Sequence, residues 1–417
     1  MYLCFERLLL LLISTGCCCS AVLDVAWWSS VAQLSTSSLL PQSSRPICNE
    51  LVGLSPGQAN ICELFKDHMP AVGNGAKQAI EASYFLFNLS NLGKSSRIID
   101  RRIKFYCNRS LCSLRAELCH LECEYQFKDQ RWNCSTPPGA GVIGPIHKFG
   151  TREAAFTYAI LSAGVTHEIG RRCRLGHLRS CGCADPSTIP SNTVPEDINA
   201  ETEEWSWGGC GDNIDYGVKF SQNFIDNGEK EESKRSEKRS ETNGRSMMNR
   251  WNNEVGRKVL KKHTKPKCKC HGVSGACNMK TCWMQLPKMR EVGDILEEKY
   301  KTAKRIQINA RGNMQFVEQP EKRNRPRKKK RAAMQLVFLD DSPDYCETNI
   351  QQGTVGTKGR HCSKDPGAPN SCDLLCCGRG YNSYIEEVTY KCKCKFQWCC
   401  EVICQQCRNQ TQVHVCK

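Results

Sequence analysis

A long hydrophobic run is the first feature that this sequence lacks. No stretch of its 417 residues reaches the roughly 18 consecutive apolar residues that a membrane-spanning helix needs. The apolar run at residues 8–13 is too short to span a bilayer, but it follows Arg7 and precedes small residues near Ser20. This order is typical of a secretory signal peptide over residues 1–20, with a membrane anchor as the weaker alternative. We therefore expect a secreted protein.

Paired Cys-x2-Cys motifs are also missing, although the chain contains 31 cysteines. The spacing occurs once, from Cys404 to Cys407, without a second motif beside it, so structural zinc is a weak explanation. We expect no metal and no cofactor. So many cysteines are typical of an oxidised extracellular protein that is held together by disulfides. Close pairs occur at Cys181/Cys183, Cys268/Cys270, Cys376/Cys377, Cys392/Cys394 and Cys399/Cys400.

Hydrophobic periodicity predicts helices in the first two thirds of the chain. The clearest helix spans residues 151–173, where Thr151 can cap the first turn and apolar residues from Phe156 onward recur at helical spacing. We interpret His167 as a residue of this helix face rather than a ligand. The charged stretch at residues 227–243 is predicted to be a loop. Other helices are predicted to begin at Ser55-Pro56, with Cys62, Leu64, Phe65 and Met69 at helical spacing, and to span residues 215–227 and 293–303.

Positive charge is concentrated in one run. The net charge is +16, from 59 basic and 43 acidic residues, and much of the excess lies at residues 321–331. For a secreted protein the available polyanions are sulfated glycans and lipid headgroups, and we expect no nucleic acid partner. A plain solvated linker is the alternative interpretation. The residues that we assign to glycan binding are Arg325, Arg327, Lys328, Lys329, Lys330 and Arg331.

The composition changes after this basic run. Residues 342–417 contain twelve cysteines, several turn residues and short β-prone pieces such as residues 387–390, without a helical period over two turns. Such a segment cannot bury a conventional core, so we expect disulfides to hold it together. We therefore place a domain boundary in the basic run, as a linker over residues 319–334.

Ser274 lies in the unusual stretch CKCHGVSGAC at residues 268–277. Neighbouring glycines leave its hydroxyl unshielded, which suits a residue that is presented outward. The enzyme alternative is a hydrolase nucleophile, but the motif G-x-S-x-G needs glycine where Ala276 stands, and no strand-turn-helix pattern surrounds the serine. A hydrolase would also need an acid and a histidine that converge on Ser274. We therefore do not expect an enzyme.

CKCHGVSGAC, followed by KTCW, resembles the signature of the Wnt family of secreted lipid-modified signalling proteins. SPGQ and WGGCGDNIDYG resemble the subfamily that usually signals independently of β-catenin. The resemblance implies an α+β, disulfide-rich fold: a mainly helical N-terminal domain over residues 45–318 with a protruding lipid-bearing hairpin, then a small cysteine-stapled β-hairpin domain over residues 335–417. Similar motifs are RWNCST (131–136), REAAFTYAILSAGV (152–165), RSCGC (179–183), WGGCGDN (207–213), CDLLCCGRGYN (372–382) and CKCKFQWCCEVICQQC (392–407).

The same resemblance implies a disulfide connectivity that spacing alone cannot choose. In the first domain the implied pairs are Cys123–Cys134, Cys173–Cys181, Cys183–Cys210, Cys268–Cys282 and Cys270–Cys277, which leaves Cys48 with Cys62. In the second domain they are Cys346–Cys377, Cys362–Cys372, Cys376–Cys416, Cys392–Cys407, Cys394–Cys404 and Cys399–Cys400.

The resemblance further implies that Ser274 is esterified with a monounsaturated fatty acid. A membrane-bound O-acyltransferase would attach it, and the carrier Wntless would accompany the protein to the extracellular space and matrix. The implied receptor is the cysteine-rich domain of a Frizzled protein, with an LDL-receptor-related or Ror-type co-receptor and heparan sulfate proteoglycans as further partners. A second receptor contact is implied at Phe396, Trp398, Cys399, Cys400 and Val402, and burial of Phe396 within the small domain is the alternative. The rival interpretation of the whole chain is a matrix-type glycan-binding protein.

Four Asn-x-Ser/Thr sequons are present, and Asn133 matches a site that is glycosylated in the family. The segment at residues 82–121 departs from the family pattern, because it separates GAKQAIE from CEYQFKDQRWNC. Without the four cysteines of the leader 27 remain, and without the three in this segment 24 remain, which is the usual number in the family. We interpret the segment as a doubtful insertion that represents translated intron or misjoined exon sequence, and a real insertion with unpaired thiols is the alternative. The sequons begin at Asn88, Asn108, Asn133 and Asn409, and the extra cysteines are Cys107, Cys112 and Cys119.

Overall fold

The computed structural model describes residues 27, 31, 48, 51, 53–80, 127, 129–132, 148–184, 209–236, 240–272, 280–317, 335–349, 351–352, 354–397 and 401–417. The described part before residue 317 is mainly helical, and the part after residue 354 is dominated by one long β-hairpin. The α+β, disulfide-rich architecture expected from the sequence is therefore confirmed. Among the helices that the structure describes, none is long and apolar enough to cross a membrane. The expected signal peptide lies outside the described residues.

The first helices are α1 (Pro56–Leu64) and α2 (Met69–Ile80), separated by a 3₁₀ turn (Lys66–His68). α1 begins as predicted, because the hydroxyl of Ser55 accepts a hydrogen bond from the backbone N–H of Gln58, whose side chain accepts one from the N–H of Ser55. The prediction that one helical spacing continues from this start through Met69 is wrong. α1 ends before Phe65, and Leu64 is 77% exposed.

Helix α3 (Arg152–Arg174) is the centre of the helical part and is buried along most of its length. Thr151 caps it by accepting a hydrogen bond from the N–H of Ala154 at 3.3 Å, which confirms the predicted helix. Small residues let its neighbours approach closely. A Cβ atom on Gly75 in α2 would lie 2.6 Å from the backbone oxygen of Gly164 in α3. Larger side chains at these contacts would therefore separate the two helices.

Helices α4 (Ile214–Arg235) and α5 (Glu241–His263) pack against α3 and against each other. The predicted loop at residues 227–243 is wrong, because α4 continues to Arg235 and α5 begins at Glu241, next to its cap Ser240. Its charged residues are compatible with a solvated helix: Glu231 and Arg235, one turn apart, form an ion pair at 3.6 Å. A high content of charged residues therefore did not indicate a loop in this segment.

The chain after α5 forms the hairpin β1 (Lys265–Cys270) and β2 (Lys280–Gln285), and then α6 (Met289–Lys301). The helix predicted at residues 293–303 is thus confirmed, but it begins four residues earlier. Next, β3 (Lys304–Ile308) pairs antiparallel with β4 (Met314–Phe316) and parallel with β5 (Val337–Phe338). The amide of Asn252 in α5 fixes β5, since it bonds both the N–H and the carbonyl of Val337.

The predicted linker at residues 319–334 lies outside the described residues, and the proposed domain boundary stays a prediction. The chain that follows it returns to the helical part before it enters the C-terminal part. Leu336 and Val337 are fully buried, and Ser342 donates to the buried carboxylate of Glu153 at 2.8 Å. The first residues after the linker therefore pack with the N-terminal core.

The C-terminal part consists of small elements around a three-stranded antiparallel sheet, in which β10 (Glu401–Cys416) lies between β8 (His361–Cys362) and β9 (Tyr381–Gln397). Its buried cluster contains four cysteines and Leu375, with Tyr381 packed against it. Disulfides thus take the place of a hydrophobic core, as the composition indicated. The elements are β6 (Thr348–Asn349), β7 (Thr354–Val355), β8 (His361–Cys362), α7 (Cys372–Leu375), β9 (Tyr381–Gln397) and β10 (Glu401–Cys416).

Nine disulfides join described residues, and each one links two cysteines that were paired above. Cys270 is also disulfide-bonded, and its implied partner Cys277 lies outside the described residues. The implied pairs Cys123–Cys134 and Cys399–Cys400 lie outside them as well. The nine bonds are Cys48–Cys62, Cys173–Cys181, Cys183–Cys210, Cys268–Cys282, Cys346–Cys377, Cys362–Cys372, Cys376–Cys416, Cys392–Cys407 and Cys394–Cys404.

Candidate functional site

The first candidate site is the hairpin of β1 and β2, which we call the first hairpin. The strands pair antiparallel from Lys265 opposite Gln285 to Cys270 opposite Lys280, so that Cys268 and Cys282 face each other and are bonded. Residues 273–279, including Ser274, lie outside the described residues. In the sequence they join the end of β1 to the start of β2. Ser274 therefore belongs to the segment that connects the two strands of a cross-linked stem.

The stem is fixed to the helical part through Asp212. The backbone N–H of Asp212 donates to the carbonyl of Met284 at 2.9 Å, and its carboxylate accepts from the N–H of Leu286 at 2.9 Å. The other carboxylate oxygen lies 3.0 Å from Nε of Arg174 at the end of α3. A Cβ atom on Gly209 would lie 2.9 Å from the carbonyl oxygen of Cys282, so only glycine allows this approach. The motif WGGCGDN thus anchors the hairpin.

Sequence reasoning assigned no role to Asp212, although the motif that contains it was noticed. His167, by contrast, lies where the sequence placed it, on a buried face of α3. Its Nε2 is 3.1 Å from the carbonyl oxygen of Pro287, just after β2, and burial lowers the pKa of its ring. A neutral His167 therefore helps to hold the base of the same hairpin.

The second candidate site is the long hairpin of β9 and β10, which we call the second hairpin. Cys392–Cys407 and Cys394–Cys404 cross-link it on the approach to the tip. Val402 pairs with Phe396 in the strand register and is 59% exposed, and the next residue Ile403 is 53% exposed. Trp398, Cys399 and Cys400 lie outside the described residues, as does the side chain of Phe396. The described residues therefore present apolar surface beside the expected receptor contact.

The hydrolase alternative can be examined beside the segment that contains Ser274 and in a cluster around His68. Next to the tip with Ser274, Nε2 of His271 lies 3.0 Å from the hydroxyl oxygen of Thr281. Elsewhere, His68 links Asp67 to Ser180: its Nδ1 lies 2.8 Å from the carboxylate of Asp67 and its Nε2 lies 3.1 Å from Oγ of Ser180.

The hydroxyl of Tyr216 is also part of this second cluster. It lies 2.9 Å from the same Nε2 of His68 and 2.5 Å from Oγ of Ser180. The phenol therefore shares the histidine that Ser180 would need as a base. The His68 ring is fully buried and stacks on Phe220. We interpret the cluster as structural, since it ties the 3₁₀ turn to the loop that Cys173–Cys181 closes.

Of the remaining predicted sites, Asn409 is exposed on β10, opposite Val388. The sequons at Asn88, Asn108 and Asn133 lie outside the described residues. So do all six basic residues that were assigned to glycan binding (Arg325, Arg327, Lys328, Lys329, Lys330 and Arg331), and the doubtful insertion at residues 82–121. These assignments stay predictions.

Comparisons with known proteins show the family. A model described as wnt family matches residues 109–417. Protein Wnt-2 of Caenorhabditis elegans is 55% identical over 397 residues, which cover 95% of each chain. Protein Wnt-5b of Xenopus laevis is 40% identical over 413 residues, which cover 99% of each chain. A solved structure described as human WLS in complex with WNT8A has a chain that is 31% identical, with a TM-score of 0.49 over 83% of this chain and 99% of that one. This chain belongs to the Wnt family of signalling ligands.

Proposed function

We propose that this protein is a secreted morphogen ligand that activates Frizzled receptors through an acyl group on Ser274 and through the tip of the second hairpin. Family membership carries this proposal. The structure supports it because the first hairpin is a cross-linked stem that is fixed at its base by Asp212 and Arg174. A rigid stem can hold an acylated serine away from the body of the protein.

The acyl group would supply a large apolar contact. Each buried CH2 group contributes about 0.8 kcal/mol, so a fatty acyl chain adds several kcal/mol when it enters an apolar receptor groove. One chain alone binds membranes only reversibly, so the lipid remains transferable to the receptor. The O-acyltransferase and the Wntless carrier are the partners that this modification requires during secretion.

The second hairpin would supply selectivity. The side chains of Val402 and Ile403 are exposed, and Trp398 precedes them by four and five residues in the sequence. Aromatic and apolar anchors dominate protein interfaces. We place the second Frizzled contact at Phe396, Trp398, Cys399, Cys400 and Val402. The co-receptor, of the LDL-receptor-related or Ror type, and heparan sulfate proteoglycans complete the proposed extracellular partners.

The test is the intact mass of the Ser274 peptide from secreted protein, together with the variant Ser274→Ala. We expect the wild-type peptide to carry one monounsaturated acyl group. The variant should fold, because a hydroxyl at a hairpin tip supports no core, but it should lose acylation and receptor activation. Thr281→Ala is the matched control, since it removes another hydroxyl group of the same hairpin from the described strand β2. Equal Frizzled binding by Ser274→Ala and wild type would refute the proposal.

A further inference from the structure

Positive charge is also concentrated in a second segment, residues 255–290, apart from the basic run at residues 321–331. Residues 255–290 contain ten Lys and Arg residues and no Asp or Glu, which is a larger excess than at residues 321–331. This segment covers the end of α5, the first hairpin and the start of α6. Ion pairs within the fold use several of these residues, among them Arg257 with Asp226, Lys258 with Glu254 and Lys261 with Asp215.

Three other lysines of this segment form one face of β1. Lys265, Lys267 and Lys269 are exposed, and the residues between them are less so, because side chains alternate between the two faces of a strand. We call these three residues the lysine face. Among the residues that the structure describes, the lysine face has no ion-pair partner. Alternate residues on a strand are roughly 7 Å apart, so the three charges lie in a row of about 13 Å.

The surroundings of the lysine face are also favourable for an anion. Thr281, Trp283 and Gln285 are the neighbours on β2, and none of them carries a charge. Lys265 and Lys267 line an open groove of about 290 Å³ at the base of the hairpin, together with Lys288. Among the described residues that line this groove, Glu291 is the acidic one. The positive charge is therefore continuous from the groove along the strand toward the tip.

Chain length places this charge near the acylation site. Lys269 precedes Ser274 by five residues, which can span at most about 18 Å even when fully extended. The headgroup layer of a bilayer is about 5–7 Å thick on each side, and charges act over a further 8–10 Å at physiological salt. The lysine nearest the tip would therefore lie within reach of lipid headgroups whenever the acyl chain is inserted in a membrane.

We propose that the lysine face binds the anionic headgroup layer of a lipid bilayer and acts as the second membrane signal beside the acyl group. This inference rests on the proposed acylation of Ser274. One acyl chain holds a protein at a membrane only marginally, whereas one chain with a polybasic patch gives stable binding. Trp283 is opposite Lys267 on the same face, and tryptophan favours the interface between lipid and water.

The experiment compares two triple variants of the full secreted chain by flotation with lipid vesicles. The first is Lys265→Gln, Lys267→Gln, Lys269→Gln. The second hairpin offers a matched control, Lys391→Gln, Lys393→Gln, Lys395→Gln, which removes the same charge from alternate exposed positions of another cross-linked strand. Vesicles contain phosphatidylcholine with or without about 20% phosphatidylserine at about 0.15 M salt.

We expect wild type and control to bind the anionic vesicles. Since each lysine near an anionic surface contributes roughly fivefold, the lysine-face variant should lose at least about fivefold in partition through Lys269 alone, and about 100-fold when all three lysines reach the headgroups. Binding to neutral vesicles should change by less than about threefold, because no anionic lipid is present. Equal loss in both triple variants, or no loss in the lysine-face variant, would overturn the inference. The inference would also be overturned if the lysine-face variant eluted from heparin at a lower salt concentration than wild type but bound vesicles equally well. That result would identify a sulfated glycan as the ligand of the lysine face.

The mass of the Ser274 peptide is measured in every variant, and the comparison is repeated on a Ser274→Ala background. If the wild-type peptide carries no acyl group, the proposed function fails, but comparing the vesicle binding of the two triple variants still tests the lysine face. If all peptides are acylated and the two triple variants bind anionic vesicles equally, only the inference fails.

Discussion

Protonation of Glu229 is expected to control part of the stability of the helical domain. Glu229 lies on α4, where the amide of Asn249 from α5 donates to both of its carboxylate oxygens at 3.2 Å. Burial is the main reason why its pKa is raised from 4.5 to about 7, and the nearby Asp226 raises it further. Hydrogen bonds from Asn249, Ser246 and Tyr158 act in the opposite direction but are outweighed.

The direction of the pH effect follows from the two pKa values. In the unfolded chain the pKa of Glu229 is near 4.5, so the folded state binds the proton more tightly. This contribution to stability is fully present below the unfolded-state pKa and is lost as the pH rises through about 7. The shift corresponds to roughly 3 kcal/mol, of which about 2.5 kcal/mol disappears between about pH 5 and pH 8.

The variant Glu229→Gln keeps the shape of the neutral acid and removes its titration. We expect the free energy of unfolding of wild type, relative to the variant, to fall by about 2.5 kcal/mol from about pH 5 to pH 8. The measurement is urea unfolding followed by tryptophan fluorescence, with disulfides intact. If the curves of wild type and variant stay parallel over this range, the assignment of the raised pKa is incorrect.

Glu254→Gln is the matched control on the neighbouring helix. Burial acts to raise the pKa of Glu254, but hydrogen bonds from Gln222 and Arg257 and the charge of Arg257 outweigh it, so the pKa is lowered. Its contribution is present above the unfolded-state pKa and is lost only as the pH falls below about 4.5. The stability difference between this variant and wild type should therefore not change between about pH 5 and pH 8.

Three further predictions concern the proposed sites. Trp398→Ala should weaken binding to the Frizzled cysteine-rich domain by about 2 kcal/mol, with acylation and secretion near normal; a block in secretion with normal binding of any secreted fraction would instead assign Trp398 to the fold. Replacing the six basic residues of the glycan-binding run by glutamine should lower the salt concentration at which the protein elutes from heparin, and unchanged elution would leave the run as a solvated spacer. Deleting residues 82–121 should raise secretion because it removes three unpaired thiols, and mapping of Cys107, Cys112 and Cys119 into defined disulfides would contradict this.

The sequence predicted a helix most clearly where its buried face is apolar over many turns. α3 has a capping threonine and apolar or small residues at most of its core positions, so its period is visible without the structure. α5 is just as long but was not predicted, because its buried face contains Asn249, Asn252, Asn253 and Arg257. Their partners, such as Asp226 and the backbone of β5, are distant in sequence. A polar core cannot be recognised from periodicity when its partners are unknown.

The length of the second hairpin could not be predicted for a related reason. β9 and β10 have 17 and 16 residues, but most of their described side chains are exposed or partly exposed on both faces of the sheet. Alternation of apolar and polar residues arises when one face of a sheet is covered, and here neither face is. The cysteine motifs indicated a hairpin, while its register and length became visible only in the structure.

The two hairpins show why the same cysteine pattern accompanies both proposed contacts. A tip that binds a partner has to expose apolar groups, such as Val402 and Ile403, and so cannot use them to stabilise its own fold. Cross-links provide the missing stability, because closing a loop of about 15 residues restricts the unfolded chain by roughly 3 kcal/mol. The bonds Cys268–Cys282 and Cys392–Cys407 close loops of this size, with sequence separations of 14 and 15. In each hairpin the stem is therefore stabilised independently of its tip, and the tip residues remain available for binding.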